Sequence, residues 1–583
     1  MSTLTWVLVG AVVYWTALLA LRNRGALPSY VGTQGPIITL HTKRGRKLLD
    51  RLARPKRFWR AFSNVGVGIA LVVMALSFVF VLFAAISSLY TAEGTAVNQP
   101  RNVVIIPGVN EFLPLSATPG IVFGLLVALV VHEGAHGLLC RVEDIDIDSM
   151  GVALLAIVPI GAFVEPDQDS QRRANRGGKT RMFAAGVTAN FAVTILAFGL
   201  LFGPVAGSIA VAPGAAVGGS FPGSPAAQAG IDAGDRITAV GGERIEDGDA
   251  LEQALEENGD ATVTVTLADD REVTVDRSAF VVEAADGGPT GLSADDTIVA
   301  ANGESVNTEA EFRAAISEET TATVETESGE EHNFPAGALS TVDPDGPAAA
   351  AGMPEGDVVI TAIDGERVTD RDSLTAILQD TEPGQTVEIE AYADGEPETY
   401  SVELGEHPEG YGQVGVNVQP GVSGVVINDF GIQSYPADTY LAYLGGGEHP
   451  ATNSFTGMVF FALMLPIASM FDPSVPFNFA GFTGHVTEFY VVDGPLALLD
   501  SGVFLIANLL FWTGWINLNL AFFNCIPAFP LDGGHILRTS TEAIVSRLPF
   551  EASYELTKTV TVSVGVTMLL GLLLMVFGQG LLV

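Results

Sequence analysis

The chain has 583 residues, with 67 acidic against 28 basic side chains and a formal charge of −39, yet its mean hydropathy is positive at +0.37. Greasy and acidic regions are therefore segregated along it, the pattern of a membrane protein with an exposed acidic domain, and the negative balance argues against nucleic acid as a partner. Two cysteines, Cys140 and Cys525, exclude a disulfide scaffold, and both lie in membrane-type sequence. Only five of the basic residues are Lys. Such acidity reads as adaptation to high salt, where cations screen self-repulsion, and points to a halophilic, archaeal source.

Apolar runs long enough to cross a bilayer lie at about 4–21, 65–89, 120–140, 182–207, 500–525 and 559–581, predicting about six spanning helices. The first lacks a basic leader and a clear cleavage site, so it reads as a retained helix rather than a signal peptide. Residues 22–60 carry eleven Lys or Arg and residues 166–181 five more, which places both loops in the cytoplasm. The acidic stretch from about 208 to 450 then falls outside the cell. A seventh run, 453–471, breaks this parity if it crosses and is read as an in-plane or re-entrant helix.

The third run contains His132-Glu133-Gly134-Ala135-His136. Two His four apart on a helix lie about 40° from one another and roughly 6 Å along the axis. Both imidazoles can then reach one zinc ion, while Glu133 faces its open position as a base for water. Ionisable residues at membrane depth mark a working site by default. Read blandly, the pair is two interfacial histidines at a helix end. Residues 151–165 follow, apolar but too short to span and interrupted by Gly and Pro. They are expected as a strand-like re-entrant segment beside that helix, or else as a surface loop.

The acidic stretch repeats. The segment Asp235–Ile245 recurs from Asp296 and again from Asp357, at a spacing of 61 residues. Each copy predicts a strand, a tight Gly turn, a second short strand and a helical run such as 372–378. The first and third copies are preceded by Ser224-Pro-Ala-Ala-Gln-Ala-Gly230 and Gly346-Pro-Ala-Ala-Ala-Ala-Gly352, and these resemble the PDZ domains of membrane and periplasmic proteases. The middle copy lacks that element and is expected to be degenerate or partial. PDZ domains bind extended segments as an added strand.

A His pair needs a third protein ligand. Asn524-Cys-Ile-Pro-Ala-Phe-Pro-Leu-Asp-Gly-Gly-His535 supplies one: Pro527 and Pro530 break the preceding helix, and the Gly pair lets the backbone turn, so Asp532 is expected on an unwound segment at membrane depth. Cys140 and Cys525 read as small buried apolar residues, and His535 as outside the metal set.

HExxH in one membrane helix, NxxPxxPLDGG in a later one and PDZ-like repeats between them resemble the site-2 protease family of intramembrane zinc metalloproteases. Pro159-Ile-Gly-Ala-Phe-Val-Glu165 is similar to the family's re-entrant loop PxGGYV, and Met182-Phe-Ala-Ala-Gly-Val-Thr-Ala-Asn190 to its AAGPxxN. The resemblance implies His132, His136 and Asp532 as zinc ligands, Glu133 as the general base, and Asn524 as a catalytic residue that contacts substrate or polarises its carbonyl. It further implies membrane-protein substrates already trimmed by another protease and cut near the cytoplasmic leaflet.

The expected fold is a polytopic α-helical membrane protein with an inserted α+β tandem PDZ-like block. Its expected divisions are 1–118 (N-terminal helices and basic loop), 119–210 (first half of the catalytic core) and 211–285, 286–338 and 339–410 (three repeats). Residues 411–495 follow as a linker with the re-entrant helix, and 496–583 as the second half of the core. The competing reading is a membrane-anchored, non-catalytic PDZ scaffold or receptor with a decayed metal site.

Overall fold

The computed structural model describes residues 3–28, 30–90, 107–108, 110, 113–155, 158–445, 454–471, 477–547 and 553–578. They form two compact units. One comprises Met1–Ala210, Asp438–Thr487 and Val491–Val583, the other Val211–Ala437 and Glu488–Tyr490.

The first unit is helical. Its long helices are α1 (Thr3–Asn23), α2 (Lys56–Tyr90), α3 (Thr118–Val142), α4 (Arg176–Leu200), α5 (Gly502–Asn524), α6 (Asp532–Val545) and α7 (Ser553–Phe577). Among the described residues, five helical stretches are long and apolar enough to cross a bilayer: Lys56–Tyr90, Leu115–Val142, Arg176–Ser208, Gly502–Asn524 and Tyr554–Phe577. A 25-residue helix rises about 38 Å, against a hydrocarbon core of about 30 Å. The chain is thus a multi-pass membrane protein. Small residues bring the spans together, as membrane helices require. A side chain at Gly124 of α3 would fall 2.7 Å from the Trp512 carbonyl oxygen of α5, and one at Gly66 of α2 only 1.8 Å from Thr188 Oγ1 of α4.

The two basic loops meet at one end of this bundle. Glu143, just beyond α3, accepts from Arg60 Nε (3.0 Å) and Arg181 Nε (2.9 Å), and Lys56 pairs with Asp144 at 2.6 Å. Next to this end lies a sheet of which the sequence reading expected only the 151–165 part, as a strand-like segment. Strands β1 (Val31–Gln34) and β2 (Ile37–His41) join β3 (Ile147–Leu155) and β4 (Val158–Pro166) in an antiparallel sheet of order β1-β2-β3-β4. The 151–165 stretch is therefore most of a hairpin, paired Gly151 to Phe163 and Ala153 to Gly161. Over the seventh apolar run the helix Phe455–Ile467 is only about 20 Å long, short of a bilayer. The chain after it is tied to α5 by side chains. Asn508 accepts from Phe482 N (2.7 Å) and donates to Phe482 O (2.8 Å), and Trp512 Nε1 donates to Ala480 O at 3.1 Å.

The second unit holds three modules of one design. Each has an antiparallel five-strand path with a short hairpin strand on its third strand: 272–276, 262–267, 236–240, 215–220 and 432–434 in the first; 331–335, 321–326, 297–301, 279–284 and 425–427 in the second; 396–403, 386–393, 356–363, 338–342 and 416–418 in the third. The Gly turns fall at Gly241-Gly242, Asn302-Gly303 and Asp364-Gly365, where both residues have positive φ, the geometry of a tight two-residue hairpin. The helices Gly248–Glu257, Glu309–Ile316 and Arg371–Gln379 follow at the repeat spacing. The middle copy is thus not partial. It lacks only the short helix that the others carry at Pro225–Ala229 and Pro347–Ala350.

The modules are nested. The last strand of every sheet comes from 416–434, in reverse order: third module, then second, then first. Val414 lies in the core of the third, Val422, Val425 and Ile427 in that of the second, and Phe430 and Ile432 in that of the first. Residues expected as linker after 410 therefore complete three domains: the divisions 211–285 and 339–410 each lack their return strand, and 286–338 lacks its strand at 279–284 as well.

Candidate metal centre and active site

His132 and His136 lie one turn apart near the end of α3, and Asp532 is the first residue of α6. The helix N-terminus, where peptide dipoles favour a negative charge, holds that carboxylate. Its setting differs from the expected unwound segment. The chain is irregular only up to Leu531, and Gly533-Gly534 are helical rather than turning at positive φ. Glycine is required there for space. A Cβ at Gly533 would lie 2.3 Å from Ile526 O, and one at Gly534 2.9 Å from Phe529 N.

The three donor atoms converge. His132 Nε2 and His136 Nε2 are 3.2 Å apart, and each lies 3.1 Å from Asp532 Oδ2. A tetrahedral zinc with bonds of about 2.0–2.1 Å sets its ligand atoms about 3.3–3.4 Å from one another. The triangle fits such an ion and leaves a fourth position free. Among the described residues no other group of three His, Cys, Asp or Glu donors gathers in this way.

The supporting contacts fix which ring nitrogens face the ion. His136 Nδ1 donates to Met182 O at 2.7 Å, leaving the Nε2 lone pair to the metal side. His132 Nδ1 lies 3.3 Å from the fully buried side-chain amide of Asn190. With Nε2 committed to a metal, Nδ1 carries the proton and the amide must accept it with its oxygen, an orientation reached by a 180° flip. That flip also gives Asn190 Oδ1 the partner it otherwise lacks. Between these two contacts stands Gly186, where a Cβ would be 2.6 Å from His132 Cε1 and from His136 Nε2. Met182, Gly186 and Asn190 recur every four residues along one face of α4, and that face is the back wall of the site. Their shared spacing inside Met182–Asn190 was the sequence signal for it.

Glu133 Oε2 accepts from Val164 N of β4 at 3.1 Å, so the hairpin aims the carboxylate. Glu133, Asn524 and the three donors line one cavity of about 750 Å3. Asn524 ends α5 and donates from Nδ2 to Leu520 O (3.0 Å). His535 lines the same cavity but packs between aromatic rings, stacked on Phe183 at 4.4 Å and edge-on to Phe529 at 4.9 Å. Cys140 and Cys525 are fully buried among apolar side chains.

A helix bearing HExxH, a carboxylate brought to it from a distant helix start, and a bundle of membrane-length helices around them define a site of the metallopeptidase type. The chain belongs to peptidase family M50, whose family model matches residues 120–572. It is 30% identical over 202 residues to an uncharacterized protein of Methanocaldococcus jannaschii, covering 34% of this chain and 52% of that one. It is 28% identical over 210 residues to the zinc metalloprotease RasP of Oceanobacillus iheyensis, covering 35% and 43%. A probable periplasmic serine endoprotease DegP-like of Halomonas elongata matches at 38% over 76 residues, 13% of this chain and 16% of that one. The chain thus spans about half the length of the first two relatives.

Proposed function

We propose that this protein is a zinc metalloendopeptidase of the site-2 type, cutting peptide bonds within or near the membrane spans of other proteins in regulated proteolysis. The observation that carries this reading is the His132–His136–Asp532 triangle, with Glu133 on the same cavity wall. Zinc held there would polarise a carbonyl and bring the pKa of a water to roughly 7. Glu133 takes the proton of the attacking water and returns it to the leaving amine, held in place by the Val164 amide. Asn524 offers an amide donor to the carbonyl oxygen on which charge develops. Strand β4 ends its sheet, so its outer edge can pair with an extended stretch of substrate beside the zinc ligands. A substrate helix must first unwind, because a hydrogen-bonded helical peptide bond cannot be reached. On this reading the basic end of the bundle is cytoplasmic, and the three modules are PDZ-like domains outside the cell that filter substrates already shortened by another protease.

Purified protein should carry about one zinc per chain, and Glu133→Ala should keep the metal while lowering cleavage of a membrane-span substrate at least about a hundredfold. Protein without zinc, or a variant cutting at the wild-type rate, would overturn the assignment.

A further inference from the structure

A second cavity, of about 310 Å3, lies where α4, α6 and α7 meet. Its wall carries three cations, Arg176, Arg538 and Lys558, against one carboxylate, Glu542, which already pairs with Arg538 at 3.2 Å. Arg176 donates to Ser546 Oγ at 2.7 Å, and among the described residues neither Arg176 nor Lys558 has a carboxylate within ion-pair distance. This is a local reversal of charge. In a chain with 67 acidic and 28 basic side chains, one of only five lysines and two arginines share one pocket and, among the described residues, leave two positive charges uncompensated.

The depth of the cavity narrows the choice of anion. Arg176 opens one membrane-length helix and Tyr554, also in the wall, opens another, so the cations stand where lipid headgroups meet the hydrocarbon. The same wall exposes Phe529 and Val562, which remain 48% and 55% accessible. Cations on one side and bare apolar side chains on the other match a molecule with an anionic head and a hydrocarbon tail. A soluble anion would use only half of this surface.

We propose that this cavity binds the phosphate headgroup of an anionic membrane lipid, with Arg176 and Lys558 on the phosphate and Phe529 and Val562 against the start of the acyl or alkyl chain. Lys558 supplies a point charge and Arg176 a planar fork, a pair suited to a phosphate with several free oxygens. Arg538 and Glu542 also line the zinc cavity, so the lipid site shares a wall with the candidate active site.

The test uses the full chain in a neutral detergent, titrated with phosphatidylglycerol, phosphatidylcholine or inorganic phosphate and followed by native mass spectrometry and melting temperature. Phosphatidylglycerol should stay bound at about one molecule per chain and raise the melting temperature. Phosphatidylcholine should do neither. Arg176→Gln with Lys558→Gln should bind phosphatidylglycerol about 30-fold more weakly, as the loss of two interfacial cations implies, while Lys558→Arg should retain binding. Equal stabilisation by inorganic phosphate would make the site one for a free anion and overturn the lipid assignment. Undiminished lipid binding by the double variant would overturn it too. So would failure of phosphatidylglycerol to bind wild type. If the double variant does not fold, Phe529→Ala with Val562→Ala carries the test, and it should weaken phosphatidylglycerol without creating affinity for inorganic phosphate.

Discussion

Gly186 faces the metal ligands closely enough that even one methyl would displace an imidazole, at 2.6 Å from both rings. Gly186→Ala should therefore cost zinc as well as cleavage, unlike Glu133→Ala, and metal analysis of the two purified variants separates them. Asn190→Ala should weaken zinc about 10–100-fold through lost support of His132, read by competition with a chelator. His132, His136 and Asp532 were legible because a helix converts the spacing of the two His into convergence, and an acid beside broken helical sequence in a membrane demands a partner. For Gly186 and Asn190 the sequence held the four-residue spacing from Met182 but not the role, which exists only where α4 meets α3. Glu143 adds a pH effect. Burial alone would raise its carboxyl, but hydrogen bonds and charge from Arg181 and Arg60 outweigh that and hold it below the ordinary value. A group lowered in the folded state stabilises at pH above its unfolded value of about 4.3, and that contribution fades as pH falls through the folded value. Wild-type melting temperature should thus drop on acidification below about pH 4. Glu143→Gln should melt lower at neutral pH and show a shallower acid slope.

Elements were read well where periodicity governed them and poorly where pairing partners were distant. The six long apolar runs all hold helices, and the Gly turns of the repeats fall where the sequence puts them. Strands β1 and β2 were missed because residues 22–60 were read for their charge, and what makes 37–41 a strand is its pairing with 151–155 more than a hundred residues later. The return strands at 416–434 escaped for the same reason. Where the outgoing and returning chains meet between the first two modules, Arg277 donates to Asp429 Oδ2 at 2.5 Å, with side chains only 1% and 7% exposed. Asp429 also accepts from Glu309 N at 3.2 Å, at the start of the second module's helix. Removing one partner of a buried pair leaves the other charge stranded, at about 3–5 kcal/mol. Arg277→Met should therefore speed amide hydrogen exchange across 425–434 by at least about a hundredfold, and adding Asp429→Leu should restore much of the protection.

At the scale of the molecule, nesting changes how the filtering role must be tested. Removing residues 215–405 would leave the strands at 416–418, 425–427 and 432–434 without their sheets, exposing edges prone to aggregation. The natural cut is at the ends of the second unit. There Tyr435 N donates to Ala216 O at 2.9 Å, so the chain leaves the unit close to where it enters and a short Gly/Ser linker can replace 212–436. Every zinc donor, Glu133, Asn524 and the β4 edge belong to the first unit, so chemistry needs nothing from the excised block. If the block excludes substrates whose external domains are still attached, the excised protein should cut a pre-trimmed stub at the wild-type rate and should cut its full-length precursor faster. Zinc content and melting temperature serve as the folding control. Loss of cleavage of the trimmed stub by a folded, zinc-loaded protein would mean that the block recruits substrate instead, through the open strand edges that its three sheets present.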